Sequence, residues 1–556
     1  MHLAYGDTFA FLKEAVKDGY FEQLIKDYLL DNPFEAIIVV KPEKNLTAKE
    51  DAQVAEKLAA YKERLTAEEK QALIRQTKEL KEYQDIPSSP EELALIPMLE
   101  RKDIKKEAEK LKWEEHKIHG IQVLHHDIFT SGIGYLRVLF NTNRIPDEDL
   151  PYAALLRHVL SLVDTENYSY SDLTSEINLN TGGLSLGITS YVNLKKLPDF
   201  TGAFSAEVRV LYEKLDFGFE IVSEILTRSK FSDEKRLGEI LKTTRSRMKM
   251  KLENGSHSAA VARATSYFSP TSAYNDCTGG IRYYQFLDDV IREFEKDPKP
   301  LIAKLEEVSK MLFTKENMLI SYTCDKAGFP ALSESMKHLT DALPEGEGTV
   351  YPFQFQPELK NEGFKTSSQV NYVARCGNFR LGEELDYTGA LRILKLILSY
   401  DYLWQNLRVK GGAYGCMCSF GKSGDAYIAS YRDPNLGKTI EAYEGIVEYV
   451  AHFTGDERSM TQAVIGTVSE MDAPMNPAAK ALRALSIYLT GQTAEQLQKE
   501  RDQVLDATAE DIRALAGHMK AFLEDDCLCV VGNTKKIASF WVIRPLLTGI
   551  RCARNR

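Results

Sequence analysis

Arg408 and Tyr414 stand six residues apart in the stretch LRVKGGAYG (407–415), with Gly411 and Gly412 between them. A guanidinium is a planar fork of donors that can hold a carbonyl or a carboxylate. A phenol can donate a hydrogen bond to an oxygen that gains negative charge. Together they could stabilise a polarised carbonyl. The same pattern also describes a helix C-terminus, with a basic residue in the last turn and glycines that cap it. Spacing alone leaves both readings open.

Other reactive residue types form weaker patterns. His116, His119, His125 and His126 are the densest histidine cluster, but neither H-x-x-E-H nor H-E-x-x-H occurs. A catalytic zinc takes three well-placed ligands and keeps one position open. His125 and His126 fall on a predicted strand, where neighbours point to opposite faces. The cluster therefore reads as surface or hydrogen-bonded histidines, and no metal ligand is assigned to the chain. Cys416-x-Cys418 and Cys527-x-Cys529 also fall on predicted strands, not on the turns of structural zinc sites, and read as small buried residues. No G-x-S-x-G and no His-paired cysteine motif supports a nucleophile. NTGG (180–183), CTGG (277–280) and KGGAYG (410–415) lack phosphate-loop and dinucleotide spacing and read as turns or strand edges.

The chain has 556 residues, 44% hydrophobic and 27% charged, which is enough for several packed cores. Its net charge of −11 argues against nucleic acid as a partner, because phosphate binding needs a basic surface. No apolar run approaches the roughly 20 residues of a membrane span. The polar N-terminal stretch does not read as a secretory signal, and eight sparse cysteines suit reduced thiols and a cytoplasmic location.

These residues need elements to position them. Residues 17–33 read as an amphipathic helix and 34–43 as one strand, whose sheet partners would lie outside this chain. Residues 46–115 alternate charge at helical spacing and read as a long exposed helix, broken at DIPSSPEE, then a second helix near Asp103–Trp113. GIQVLHHDIFTSGIGYLRVLFNTN (120–143) reads as paired strands, and 147–165 as a helix with Pro151 in its first turn. Mixed elements run to about 343, and 344–363 read as a linker. A second αβ unit follows, with a long helix, LDYTGALRILKLILSYDYLWQNL, expected to be buried on nearly all sides. GAYGCMCSF and AYIASYRD read as a hairpin across GKSG. Residues 524–536 close the unit with a buried strand, and 539–556 are an atypical tail. Two units of similar size and order suggest an internal duplication.

Arg408-Val-Lys-Gly-Gly-Ala-Tyr414-Gly resembles the C-terminal active-site motif of pitrilysin/insulinase-type zinc metallopeptidases, in their presequence-protease and falcilysin-like branch. SSPEELALIPMLERKDI (88–104), GYFEQLIKDYLLDNP (19–33), SHSAAVARATSYFSP (256–270) and CTGGIRYYQFLDD (277–289) carry the resemblance along the chain, from about residue 5 to about 538. It implies an α+β fold of duplicated αβ domains of the insulinase (LuxS-like) type, joined to an N-terminal helical hairpin linker. By that resemblance residues 1–45 are the tail of the family's second domain, 46–115 the hairpin, 116–343 a third, non-catalytic domain, and 344–538 a fourth domain carrying the motif.

The resemblance also implies a zinc-dependent endopeptidase for short unfolded peptides. Zinc would be carried by an N-terminal half, in cis or in trans, while this chain alone would hold none and cut nothing. Tyr414 would serve the oxyanion. Arg408 would anchor a substrate carbonyl or carboxylate, and Gly411 and Gly412 would allow close approach of the peptide. The counterpart of the zinc helix, LLRHVLSLVD, keeps His158 but has Ser161 and Leu162 where the motif needs glutamate and the second histidine. An alternative expectation is a separately encoded non-catalytic subunit or peptide-binding scaffold that pairs with a zinc-bearing partner. The reading frame upstream of Met1 separates the two, since an in-frame H-x-x-E-H there would mean a truncated chain.

Overall fold

The computed structural model describes residues 4–543 apart from 87, 347, 359 and 382–384. The chain divides into two compact units at Pro97/Met98. In the first unit, Gly6–Ala15 and Tyr20–Ile25 are short helices, the latter continued by a π-turn over Lys26–Leu30. The strand expected at 34–43 does not form. Ile37, Ile38, Val39 and Val40 are 75–85% exposed and pair with no strand among the described residues. An extended segment without a neighbour cannot satisfy its backbone in a ladder.

The long helix expected next is two, Leu46–Arg64 and Ala67–Asp85. The break falls at Leu65, because Thr66 starts the second helix with a capping box: its Oγ1 accepts from Glu69 N, and Glu69 accepts from Thr66 N. The helix expected at Asp103–Trp113 is replaced by an extended strap inside the second unit. Arg501, 1% exposed, donates to Lys105 O at 2.9 Å and grips Asp472 with both Nη atoms at 2.7 and 2.8 Å. Arg101 Nη1 donates to Leu505 O and Ala507 O, both at 3.1 Å. The strap thus finds partners outside itself, and its alternating charges offer no apolar face to fold against.

Two sheets build the second unit. The first contains β1 (Glu114–Ile118), β2 (Ile121–Asp127), β3 (Ile133–Asn141), β4 (Leu184–Val192), β5 (Phe200–Leu211) and β6 (Met318–Cys324), in spatial order β1-β2-β6-β3-β5-β4. The second contains β7 (Asn361–Thr366), β8 (Asn371–Asn378), β9 (Gly415–Phe420), β10 (Asp425–Tyr431) and β11 (Cys527–Asn533), in order β7-β11-β8-β10-β9. Without β1, both sheets follow one rule: first, last, second, fourth, third. In each, the first and last strands pair in parallel and all other neighbours are antiparallel. Shared topology with shared pairing is the structural form of an internal duplication. It also corrects the expected pairing of residues 120–143, because β6 is inserted between β2 and β3.

Side chains alternate across each sheet, so each has two apolar faces to cover. On the first sheet, Val123, Val138, Phe204 and Ile320 pack under helices of their own half, including Leu150–Val159 and Leu215–Arg228. The opposite face, with Leu124, Leu139 and Ala203, packs with Leu485 on helix Pro477–Thr490, which comes from the second half. The second sheet mirrors this. Val373, Ile428 and Val530 face helices of their own half. Ala374, Cys376, Ala429, Cys527 and Cys529 pack against Ala260 and Ala264 of helix Ser256–Thr265, from the first half. Each half therefore lends one helix to the other's sheet. Small residues on both sides let the helix approach closely, and burial pushes the Cys527 thiol up to about 12.

Leu485→Ala should cost about 2–5 kcal/mol in urea unfolding, as expected for a truncated buried leucine. Hydrogen exchange should then speed up in β2 and β6, across the exchanged contact. A change confined to residues 477–490 would count against mutual dependence of the halves.

Candidate functional site

The helix that delivers Arg408 starts as an α-helix at Ala390–Ile397 and widens into two π-turns, Leu398–Tyr402 and Trp404–Val409. Such turns are rare and often mark functional segments. Widening also corrects the expectation of burial on nearly all sides, for Tyr400 is 67% exposed. At its end Lys410 N donates to Gln405 O, Gly412 N to Arg408 O and Ala413 N to Leu407 O, each at 2.9 Å. These bonds satisfy the last carbonyls, so the stretch is indeed a helix cap.

The glycines serve that cap. A Cβ on Gly411 would sit 2.5 Å from Leu407 O and 2.9 Å from Asn406 O, both backbone atoms. Gly412 has φ +77°, in the left-handed region. Asn435 Nδ2 holds Gly411 O at 2.6 Å.

The reversal sends the chain directly into β9, the edge strand of the second sheet. Tyr414 N donates to Tyr431 O at 3.0 Å, which sets the start of the β9–β10 hairpin that the sequence indicated. Arg408 then turns back over the cap. Its Nη1 donates to Tyr414 O at 2.6 Å, and its guanidinium lies 4.3 Å from the Trp404 ring centroid and 5.4 Å from that of Tyr414. A stacked, bonded guanidinium has lost most of its rotamer freedom. The Tyr414 ring meets Tyr431 edge-on at 5.9 Å, and Tyr431 meets His257 of the lent helix edge-on at 5.0 Å. Tyr414 is 63% exposed and its hydroxyl has no hydrogen-bond partner among the described residues. The structure therefore brings Arg408 and Tyr414 into contact and leaves a free phenol on a braced ring.

The first sheet has a double glycine at the corresponding place. Gly182 and Gly183 lead into its own edge strand, β4, as turn glycines do, without an arginine and tyrosine in the same arrangement.

His158 lies at the last turn of helix Leu150–Val159. Leu160 leaves the helix with ψ 143° and Ser161 has φ +69°, so Leu162 is not one helical turn above His158. Arg157 Nε donates to His158 Nε2 at 3.1 Å. Burial first, then Arg157, Lys251 and Arg247, lower the His158 pKa to about 4. A ring nitrogen occupied by a cationic donor, amid further cations, does not fit a zinc ligand.

One donor cluster was missed in the sequence. Glu114 and His116 share a face of β1, and His125 lies opposite Glu114 on β2. Their ligand atoms lie within 4.8 Å of one another, a set that could hold a metal ion. Glu114 Oε2 lies 3.4 Å from His125 Nδ1 and 3.6 Å from His116 Nε2. Phe329 packs on both rings, 4.1 Å from His125 and 4.8 Å from His116. The signal was present as i, i+2 residues on a strand, but only the register reveals that His125 joins them. His126 points to the other face, bonds Ser321 Oγ at 3.0 Å, and has its pKa lowered by burial to about 4.

Solved structures share this architecture. A protease from Helicobacter pylori superposes with a TM-score of 0.55 over 76% of this chain and 99% of its own, at 12% identity. A peptidase M16 inactive domain from Pseudomonas fluorescens does so with a TM-score of 0.54, over 76% of this chain and 98% of its own, at 16% identity. The fold is that of M16 peptidase domains. In sequence, the associated domain of subfamily C of the M16 peptidases matches residues 40–290, and the "PreP C-terminal domain" matches residues 361–533. Protein HypA from Clostridium perfringens is 38% identical over 97% of this chain and 55% of its own length. Presequence protease 1, chloroplastic/mitochondrial, from Arabidopsis thaliana is 30% identical over 92% of this chain and 48% of its own. The chain belongs to the presequence-protease-like M16 peptidases and corresponds to the C-terminal half of that architecture. It spans about half the length of the curated relatives it matches.

Gly411→Ala should destabilise the protein by about 1–3 kcal/mol, the range for overpacking against atoms that cannot move aside. Gly437→Ala, where an added Cβ meets nothing within 4 Å, is the matched control. Equal urea midpoints for the two variants would show that the cap tolerates a side chain.

Proposed function

We propose that this chain is the substrate-holding half of a zinc-dependent peptidase acting on short unfolded peptides. The observation that carries the proposal is the Arg408–Tyr414 pair: a rotationally restrained guanidinium beside a phenol whose hydroxyl is free and exposed. Tyr414 Oη–H donates to the scissile carbonyl oxygen as that oxygen becomes negative, which favours the transition state over the ground state. Arg408 spends one N–H on the Tyr414 carbonyl, and its remaining N–H groups hold a second substrate carbonyl or a carboxylate. Gly411 and Gly412 keep the turn beside them free of side chains, so a peptide backbone can come close.

Zinc belongs to the other half of the enzyme. The His158 environment does not fit it, and we read the Glu114–His116–His125 set as a hydrogen-bonded, aromatic-braced cluster that holds no catalytic metal. Alone, the chain binds peptide and does not cleave it. Free thiols and helices that are nowhere long and apolar enough to cross a membrane suit a cytoplasmic setting.

Two experiments test this. The purified chain, without added metal, should contain far less than one zinc per molecule by elemental analysis. A stoichiometric zinc lost on His116→Ala would place the metal in the β1–β2 cluster and overturn the assignment. Mixed with a matching zinc-bearing N-terminal half, the chain should restore peptide hydrolysis. Tyr414→Phe should then lower kcat about 100- to 1000-fold, the usual effect of losing one oxyanion donor, with unchanged folding. Unchanged turnover would remove Tyr414 from the chemistry.

A further inference from the structure

A cavity of about 700 Å³ opens between helix Leu150–Val159 and helix Glu234–Asn254, within the size range of small-molecule sites. Its charged lining is one-sided: Arg157, Arg236, Arg247 and Lys251 against Glu239. Glu239 is already taken, lying 3.6 Å from Arg236. Among the described residues no carboxylate lies within ion-pair distance of Arg157, Arg247 or Lys251, in a chain whose net charge is −11. Three cations without counterions in one cavity run against the general excess of acid.

Their placement is built. Arg157 is anchored by Nη2 donating to Thr278 O at 2.9 Å and by Tyr283, whose ring centroid lies 5.7 Å from its Cζ. Its Nε is held by His158 Nε2, which leaves the imidazole uncharged and places its proton on Nδ1. Ser161, at the cavity wall, keeps its left-handed backbone although it is not glycine, a conformation that costs energy and that its surroundings must enforce. Burial lowers the pKa of Arg157 and of Lys251, and Arg157 lowers that of Lys251 further. Like charges held together repel, and a multivalent anion relieves all three at once. A peptide carboxylate supplies one charge to a site that presents three. A condensed phosphate supplies several, and its tetrahedral oxygens match the guanidinium fork.

We propose that this cavity binds the di- or triphosphate group of a small molecule, through Arg157, Arg247 and Lys251. The site lies around His158, at the place that a zinc helix would occupy, and it does not depend on the peptidase reading of Arg408 and Tyr414.

Calorimetry on the full chain with inorganic tripolyphosphate, pyrophosphate and phosphate, at constant ionic strength, tests the proposal. Tripolyphosphate should bind saturably at one per chain, more tightly than pyrophosphate, with phosphate weakest. The double variant Arg247→Gln/Lys251→Gln should weaken tripolyphosphate by about tenfold or more through loss of two charged partners. Lys326→Ala, an exposed lysine elsewhere, should leave it unchanged. ATP binding as tightly as tripolyphosphate would mark the phosphates as the recognised group, and tighter ATP binding would add the nucleoside.

The unaltered chain offers a second readout. Amine-reactive labelling of Lys251, followed by mass spectrometry, should slow with tripolyphosphate and not with chloride of equal ionic strength. Absence of binding, equal affinity in the double variant, or unprotected Lys251 labelling would each overturn the proposal.

Discussion

Each sheet of the second unit has two apolar faces and enough helices of its own half to cover only one. Ala260 and Ala264 close the second sheet from the first half, and Leu485 closes the first sheet from the second half. Everything else about the molecule follows from this exchange. Neither half can bury its core alone, so the two behave as one body. A salt-bridged seam reinforces the contact: Arg263, on the lent helix, donates to Asp276 Oδ2 at 2.6 Å and to Glu362 of β7 at 2.7 and 3.1 Å. Tyr267 donates to the same glutamate at 2.5 Å. Such a network is high-stakes, because removing one member leaves a buried charge unmatched.

The exchange also positions the candidate site. His257 on the lent helix packs against Tyr431, and Tyr431 braces the ring of Tyr414. The first half thus supports a group that the second half presents. Within the second half, the π-turns rotate the end of the Arg408 helix so that Leu407 O, and not the usual carbonyl, receives Ala413 N. The cap and the chemistry are one structure. The two readings of LRVKGGAYG are therefore not rivals: the cap's geometry is what puts a restrained arginine beside a free phenol.

Duplication left the two halves with different electrostatics. In the second half, the helix after β8 ends in the Arg408 cap at a sheet edge. In the first half, the helix after β3 ends in His158, beside cations that have no acidic partners. A histidine there is neutral at ordinary pH and accepts a hydrogen bond from an arginine, the reverse of what a metal would ask of it. One topology thus carries a polarising site at one position and a basic cavity at another, as expected when function is set by side chains and not by fold.

Much of this was legible in the residues themselves. The β9–β10 hairpin, the buried closing strand β11, the Pro151 helix start and the repeated element order all follow from local period and turn chemistry. So does the family motif, since Arg408 and Tyr414 are close in sequence and a short cap suffices to join them. Elsewhere the sequence misled, and for one reason. Residues 34–43 have a strand's composition but no neighbour to pair with. Residues 103–113 have helical composition, but Arg501 and Gln498 take their backbone groups instead. Residues 120–143 look like one hairpin until β6, almost two hundred residues later, is inserted between its strands. The Glu114–His116–His125 cluster and the cavity of Arg157, Arg247 and Lys251 arise from register and helix packing across long separations. By itself, the sequence determined elements, caps and the motif, because these depend on residues within a few turns. Which face meets which, and which charges are left without partners, depends on pairings and burial between distant segments, and only the tertiary structure decided them.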